Sequence, residues 1–234
     1  MSPRSGSGSR RQRSGVAAVA ILAATVTLGA CGTTSSSNDA SAPAAIVHTK
    51  DDGFAGTLIE DPPFKLADVV LSDTAGKPYR LGGLAPDRVT AVFFGFTNCD
   101  DVCPTAMADL AAARRALPAA TAAKVDVVFI TVDPNRDTAP VLRSWLGGFD
   151  KSFVGLRGPM ALVHQAEDSL HSTRSEIEPS GSGHDEGGDS ETHGGVSHSG
   201  SIYVFGPPDK SVLYSGGTTV AGYAKDFTRL LKNS

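Results

Sequence analysis

The sequence predicts an α/β fold: a central mixed sheet flanked by helices and preceded by an N-terminal hairpin. Three observations predict it. Residues 89–96 and 125–132 are apolar, β-branched and aromatic runs that read as buried strands. Each is followed by a stretch with apolar residues at helical spacing: Met107, Leu110, Ala113 and Leu117 after the first, Val141, Leu142, Trp145 and Leu146 after the second. Strands alternating with helices in this way form a sheet covered on both faces.

The elements follow in order. Residues 64–81 read as the hairpin, with Val69-Val70-Leu71, a turn at Asp73-Thr74-Ala75-Gly76, and Tyr79-Arg80-Leu81. Gly82-Gly83 breaks it before the first central strand. Pro104 marks the start of the next helix, since proline has no N–H to lose in a first turn, and Leu117-Pro118 marks its end. Pro134 stops the second central strand, Asp137 or Thr138 caps the helix after it, and Gly147-Gly148 closes that helix. A short strand at 153–156 and an amphipathic helix at 160–171 come next. Residues 172–200 are Gly, Ser, Asp, Glu and His with almost no apolar side chain, and they read as a long mobile loop. The chain ends with a hairpin at 201–214 around Gly206-Pro207-Pro208-Asp209-Lys210, then a helix capped by Thr219 with Tyr223, Phe227, Leu230 and Leu231 facing inward.

The first 55 residues are of another kind. Arg4, Arg10, Arg11 and Arg13 precede an apolar run at 16–28, the pattern of an export signal and too short to span a bilayer comfortably. The run ends Leu28-Gly29-Ala30-Cys31, which resembles a bacterial lipobox, so residues 1–30 are expected to be a signal peptide and Cys31 to be lipidated. The Ser/Thr-rich stretch after it, 31–55, is a flexible tether, and 56–234 is the folded domain with the loop at 173–200 inside it. Arg10-Arg11 lacks the hydrophobic residue that a twin-arginine signal places after the pair. This places the domain on the extracytoplasmic face of the cell membrane. The formal net charge of −4 and pI of about 5.8 give no basic surface and argue against nucleic acid as a partner.

The chain has three cysteines. With Cys31 taken by lipid, Cys99 and Cys103 are alone together outside the cytoplasm, where they form a disulfide, bind a metal, or alternate between the two. They lie at a strand-to-helix turn. The positive end of a helix dipole favours thiolate, the form that attacks disulfides and binds metals. A cysteine pair on the first central strand-to-helix turn makes the domain look thioredoxin-like.

The run Phe94-Gly95-Phe96-Thr97-Asn98-Cys99-Asp100-Asp101-Val102-Cys103-Pro104-Thr105 resembles the Sco/SenC family of copper chaperones. Thr131-Val132-Asp133-Pro134-Asn135-Arg136-Asp137-Thr138, then His198-Ser199 before a strand, then the Gly-Pro-Pro-Asp-Lys turn match in order. The resemblance covers about residues 64–231. It implies a membrane-anchored thioredoxin-like domain that binds copper through Cys99, Cys103 and His198. It further implies delivery of that copper to, or maturation of, the dinuclear copper site on cytochrome c oxidase subunit II, or on another copper or thiol protein, by a monomer. Asp100 stands where members often have Pro, and the His/Gly/Asp-rich loop is longer than usual.

Two thiolates suit Cu(I), and an added imidazole lets the same set accept Cu(II). Zinc is the competing ion, but a structural zinc site closes with four ligands, and only Asp100, Asp101 or a loop histidine could supply the fourth. The alternative function is a thiol–disulfide oxidoreductase using Cys99 and Cys103 without metal; the CxxxC spacing, in place of CxxC, argues mildly against it. A peroxidase of the peroxiredoxin type would want Thr or Ser three residues before the cysteine, which Thr97 and Asn98 do not provide. His184 and His193 read as solvated loop residues or auxiliary ligands, His164 and His171 as surface residues on a helix, and His48 as part of the tether. Asp133 and Asp137 read as turn and cap residues, with Asp133 on the same sheet edge as the cysteine turn.

Overall fold

The computed structural model describes residues 53–177, 191–193, 196–207 and 209–232. Cys31, the signal segment, the tether as far as residue 52, His48 and His184 lie outside the described residues.

The elements run β1 (Thr57–Ile59), β2 (Val70–Asp73), β3 (Pro78–Arg80), β4 (Val89–Gly95), α1 (Val102–Ala116), α2 (Ala119–Ala122), β5 (Val125–Thr131) and α3 (Ala139–Gly147). Then follow β6 (Val154–Arg157), α4 (Met160–Ser169), β7 (Glu176–Ile177), β8 (Glu191–His193), β9 (Val196–His198), β10 (Ile202–Gly206), β11 (Lys210–Tyr214) and α5 (Val220–Lys232). An eight-stranded sheet has the order β1-β11-β10-β4-β5-β6-β2-β3. Its centre is parallel, β4 with β5 and β5 with β6, and β10 joins β4 antiparallel. This is the mixed sheet with helices expected from the alternation.

Every residue of β4 is buried, and β5 is buried except for Asp126. A strand covered on both faces reads as a continuous apolar run, which is why these two were the clearest in the sequence. α1 and α5 pack on each other, α5 also touches β4 and β10, and α3 packs on β6. Phe93, Phe94, Phe96, Phe129 and Met107 are fully buried around the C-terminal end of β4. The cysteine turn therefore emerges from a fully buried, largely aromatic cluster.

The expected hairpin is β2–β3, with Leu71 opposite Tyr79, and Gly76 at φ +78° makes its turn. It is an edge of the main sheet, because β2 also pairs with β6. Thr219 caps α5 as expected, its hydroxyl accepting the Gly222 N–H at 3.1 Å. Two expectations need correction. Residues 56–63, to which the sequence pattern assigns no element, contain β1, paired with β11. The stretch 172–200, read as a structureless loop, contains β7, β9 and β8, which form a small three-stranded sheet. The physical reason is length. Strands of two or three residues cannot display an alternating pattern, and Val196, fully buried, is the one apolar residue that β9 offers. Among the described residues no helix is long and apolar enough to cross a membrane.

Candidate metal centre

β4 delivers the chain at Gly95 to a turn held by a Cys99 N–H bond to the Phe96 carbonyl at 3.3 Å. α1 then begins at Val102, with Asp101 in the capping position but no side-chain cap bond. Pro104 is thus the third helical residue, and the helix starts two residues before the proline. The cap acceptor is sulfur: the Cys103 N–H donates to Cys99 Sγ at 3.4 Å. The Asp101 backbone carbonyl accepts the Thr105 hydroxyl at 2.9 Å, tightening the first turn.

A sulfur that accepts an orphan N–H at a helix start is stabilised as thiolate. Cys99 is accordingly pulled down to about 3, chiefly by its hydrogen bond with Cys103, with His198 and the Asp101 and Cys103 N–H groups adding and burial opposing. Burial above all, and then the neighbouring Cys99, pushes the Cys103 thiol up. The pair thus favours the proton on Cys103 over Cys99. Both cysteines are free.

β9 brings the third donor. His198 Nε2 lies 3.5 Å from Cys103 Sγ, and its Nδ1 lies 3.1 Å from the Ser199 carbonyl oxygen. A carbonyl only accepts, so Nδ1 donates to Ser199, which orients the ring with Nε2 facing the sulfurs. The donor atoms of Cys99, Cys103 and His198 all lie within 4.8 Å of one another. Cys99 is 4 % exposed, Cys103 0 % and His198 1 %. Among the described residues no carboxylate or further histidine joins them.

The surroundings were not evident from pattern. Phe93 and Phe96 meet the His198 ring edge-on, at centroid distances of 6.0 and 5.6 Å, and fix its plane. Both read in the sequence as ordinary strand residues. The Arg136 guanidinium lies over the Phe96 ring, 5.9 Å from its centroid, and is paired with the buried Asp133. Gly95 is small because a Cβ there would stand 2.8 Å from Cys103 Sγ. Asp137 departs from its expected capping role. Thr138 holds the cap position of α3, without a side-chain bond, and the fully buried Asp137 carboxylate instead accepts the Thr97 N–H at 3.0 Å, the Thr97 hydroxyl at 2.6 Å and the Thr131 hydroxyl at 2.5 Å. It ties the cysteine turn to the end of β5. His193 lies on β8, with its side chain outside the described residues; His171 is exposed against Phe64. His164 is half-buried rather than on the surface and bonds the Ser175 carbonyl oxygen at 3.1 Å.

The SCO1/SenC family model matches residues 65–232, a span that holds all three donors. The chain belongs to the SCO1/SenC family. Among curated relatives it is 35 % identical over 118 residues to a putative copper-binding protein of Stutzerimonas stutzeri, covering 50 % of this chain and 52 % of that one. It is 40 % identical over 73 residues to an SCO2-like protein of Rickettsia felis, covering 30 % and 34 %. The chain thus spans about half, or less, of the length of these relatives. Copper-bound ScoI of Bradyrhizobium japonicum is similar over 71 % of this chain and 99 % of that chain, at 28 % identity and a TM-score of 0.57. Apo Sco1 of Thermus thermophilus is similar over 76 % and 97 %, at 31 % identity and a TM-score of 0.61. The thioredoxin-like architecture is that of the family.

Proposed function

We propose that this chain binds one copper ion through Cys99 Sγ, Cys103 Sγ and His198 Nε2 and serves cytochrome c oxidase assembly as a copper-delivering protein. The convergence of those three donor atoms within 4.8 Å carries the reading. Two soft sulfurs and one imidazole suit Cu(I) and also admit Cu(II), and the set lacks the fourth ligand that a closed structural zinc site takes. Cargo must leave as well as bind, and a three-donor set leaves one side for a donor of the receiving protein. Cys99, the cysteine favoured as thiolate and the least deeply buried of the three, is the ligand that an incoming partner reaches first. Supporting the finer reading are the copper-bound relative and the export and lipobox pattern ending at Cys31. That pattern favours a lipid-anchored monomer on the extracytoplasmic face of the cell membrane, acting on the dinuclear copper site of subunit II.

The test is copper titration of the reduced chain beside its variants. Wild type should bind one equivalent, C99S and C103S should lose tight binding, and H198A should keep Cu(I) weakly while losing the Cu(II) spectrum. Full copper retention by the C99S/C103S double variant sinks the proposal.

A second reading, thiol–disulfide oxidoreductase, is favoured by one observation: the two free thiols are adjacent and Cys99 Sγ accepts the Cys103 N–H. The Cys99 thiolate would attack a target disulfide, releasing one target thiolate. Cys103 would then displace the second, leaving a Cys99–Cys103 disulfide and a reduced target. Its mark is disulfide reduction that is indifferent to H198A.

A further inference from the structure

Glu167 has no place in the ligand set, yet it is wholly buried on α4 beside Val163 and Ala166. A carboxylate persists in such a position only where hydrogen bonds replace its water. Its two oxygens each accept the Ser175 N–H at 3.2 Å, and one also accepts the Ser175 hydroxyl. His164, one turn earlier on the same helix, donates from Nε2 to the Ser175 carbonyl oxygen at 3.1 Å. α4 therefore grips Ser175 at its N–H, its hydroxyl and its carbonyl. The preceding residue is held too: the Arg174 guanidinium forks onto Asp168, at 2.7 and 2.6 Å.

Ser175 is the residue from which β7 departs. In β7, Glu176 pairs with Ser197 and Ile177 with Val196, antiparallel. Continued by one residue, that register sets Ser175 across from His198. The short sheet cannot hold itself. β7 has two residues, β8 and β9 three each, and isolated strands of this length are not stable in water. The clasp on Ser175 is a fixed point through which the sheet is tied to a packed helix.

We infer that Glu167, acting through Ser175, is the positioning residue that places His198 beside the two cysteines. It touches neither sulfur nor imidazole. Its effect is to set where β9 ends, and so how far Nε2 stands from Cys103. This role rests on the copper reading only for its metal-dependent consequence, since the placement of His198 can be measured without metal.

The experiment uses the reduced, metal-free full chain and the variants E167A, E167Q and S175A. In E167A the His198 ring resonances and the Val196–His198 amides should shift, and hydrogen exchange of those amides should quicken by about tenfold or more as the small sheet opens locally. E167Q should restore the wild-type resonances, because its amide oxygen still accepts from Ser175. S175A, which removes only the hydroxyl donor, should move them in the same direction by less. With copper, E167A should keep sulfur-to-copper absorption, lose imidazole nitrogen coupling in the Cu(II) resonance spectrum, and bind about 10- to 100-fold more weakly. A folded E167A with wild-type His198 resonances and exchange overturns the inference. If E167A does not fold, unchanged His198 resonances in S175A overturn it. Absence of copper binding by wild type would defeat the functional reading and leave the metal-free result standing.

Discussion

Gly95→Ala adds one methyl group behind the metal centre and to an otherwise undisturbed strand. Gly95 lies in extended backbone at the end of β4, so alanine meets no strain from its own dihedrals. It does meet atoms. Its Cβ would stand 2.7 Å from Phe93 Cε1, 2.8 Å from Cys103 Sγ and 3.1 Å from Phe129 Cε2, where ordinary contact begins at 3.4 Å. The sulfur must therefore retreat by 3.4 − 2.8 = 0.6 Å, and Phe93 by 3.4 − 2.7 = 0.7 Å. Neither is a flexible chain end. Cys103 is in the first turn of α1, and Phe93 is fully buried with its ring against His198. The methyl thus displaces Cys103 directly and His198 through its neighbour Phe93. Metal sites hold ligand distances within about 0.2 Å, so a displacement of this size is several times what the centre tolerates. Overpacking should destabilise the metal-free chain by about 1–3 kcal/mol. Copper affinity should fall by about tenfold or more, which corresponds to a loss of about 1.4 kcal/mol. Denaturant unfolding of the reduced chain measures the first, and competition with a chelator of known affinity measures the second. Wild-type stability together with wild-type copper affinity would refute the claim that the centre is rigidly packed from behind.

Two further outcomes follow from buried carboxylates. Asp137→Ala should cost about 3 kcal/mol, since it takes the shared acceptor away from the Thr97 and Thr131 hydroxyls and the Thr97 N–H; Asp137→Asn, which keeps one acceptor oxygen, should cost less, and equal costs in urea unfolding would count against the hydrogen-bond account. Burial raises the Glu167 carboxyl above its ordinary 4.5, so the folded chain holds this proton more readily than the unfolded chain does. The stability it contributes is complete below that unfolded value and is lost as pH rises through the raised folded value. Glu167→Gln removes this dependence, and the variant should therefore gain on wild type as pH climbs from about 4.5 toward neutrality. The opposite slopes of Asp68 and Asp168, both lowered by arginine partners, are common to the two proteins and cancel in the difference. A flat or falling difference across that range, measured by urea midpoints at a series of pH values, would contradict it.

The three donors of the centre were legible to unequal degrees, and the inequality has a physical cause. Cys99 and Cys103 follow β4, whose seven buried residues spell a continuous apolar run, and precede α1, whose helical stripe is equally plain. Local pattern is enough to place them on a strand-to-helix turn. His198 is different. In the five residues before it only Val196 is apolar, the run that starts at Ile202 is the next strand, and the candidacy of His198 came from resemblance to a family. What places it is long-range: the edge contacts of Phe93 and Phe96, and the register of β9 on β7. Register is not written as periodicity when a strand is two residues long, so the small sheet read as loop. Its anchor did leave a mark. Glu167 sits four residues after Val163 and three before Leu170, inside the apolar stripe of α4, where a solvated carboxylate does not belong. Asp226 sits three residues after Tyr223 and four before Leu230 on α5, again inside the apolar stripe, and there too the buried carboxylate serves distant groups, accepting the Ala55 N–H at 2.8 Å and the Tyr214 hydroxyl at 2.9 Å. In both helices a charged residue on the wrong face is the point where a segment with too little apolar surface of its own is fastened to the core. A close reading of such misplaced charges finds the fastening even when it cannot name what is fastened. For Glu167, what is fastened is the strand that ends in His198.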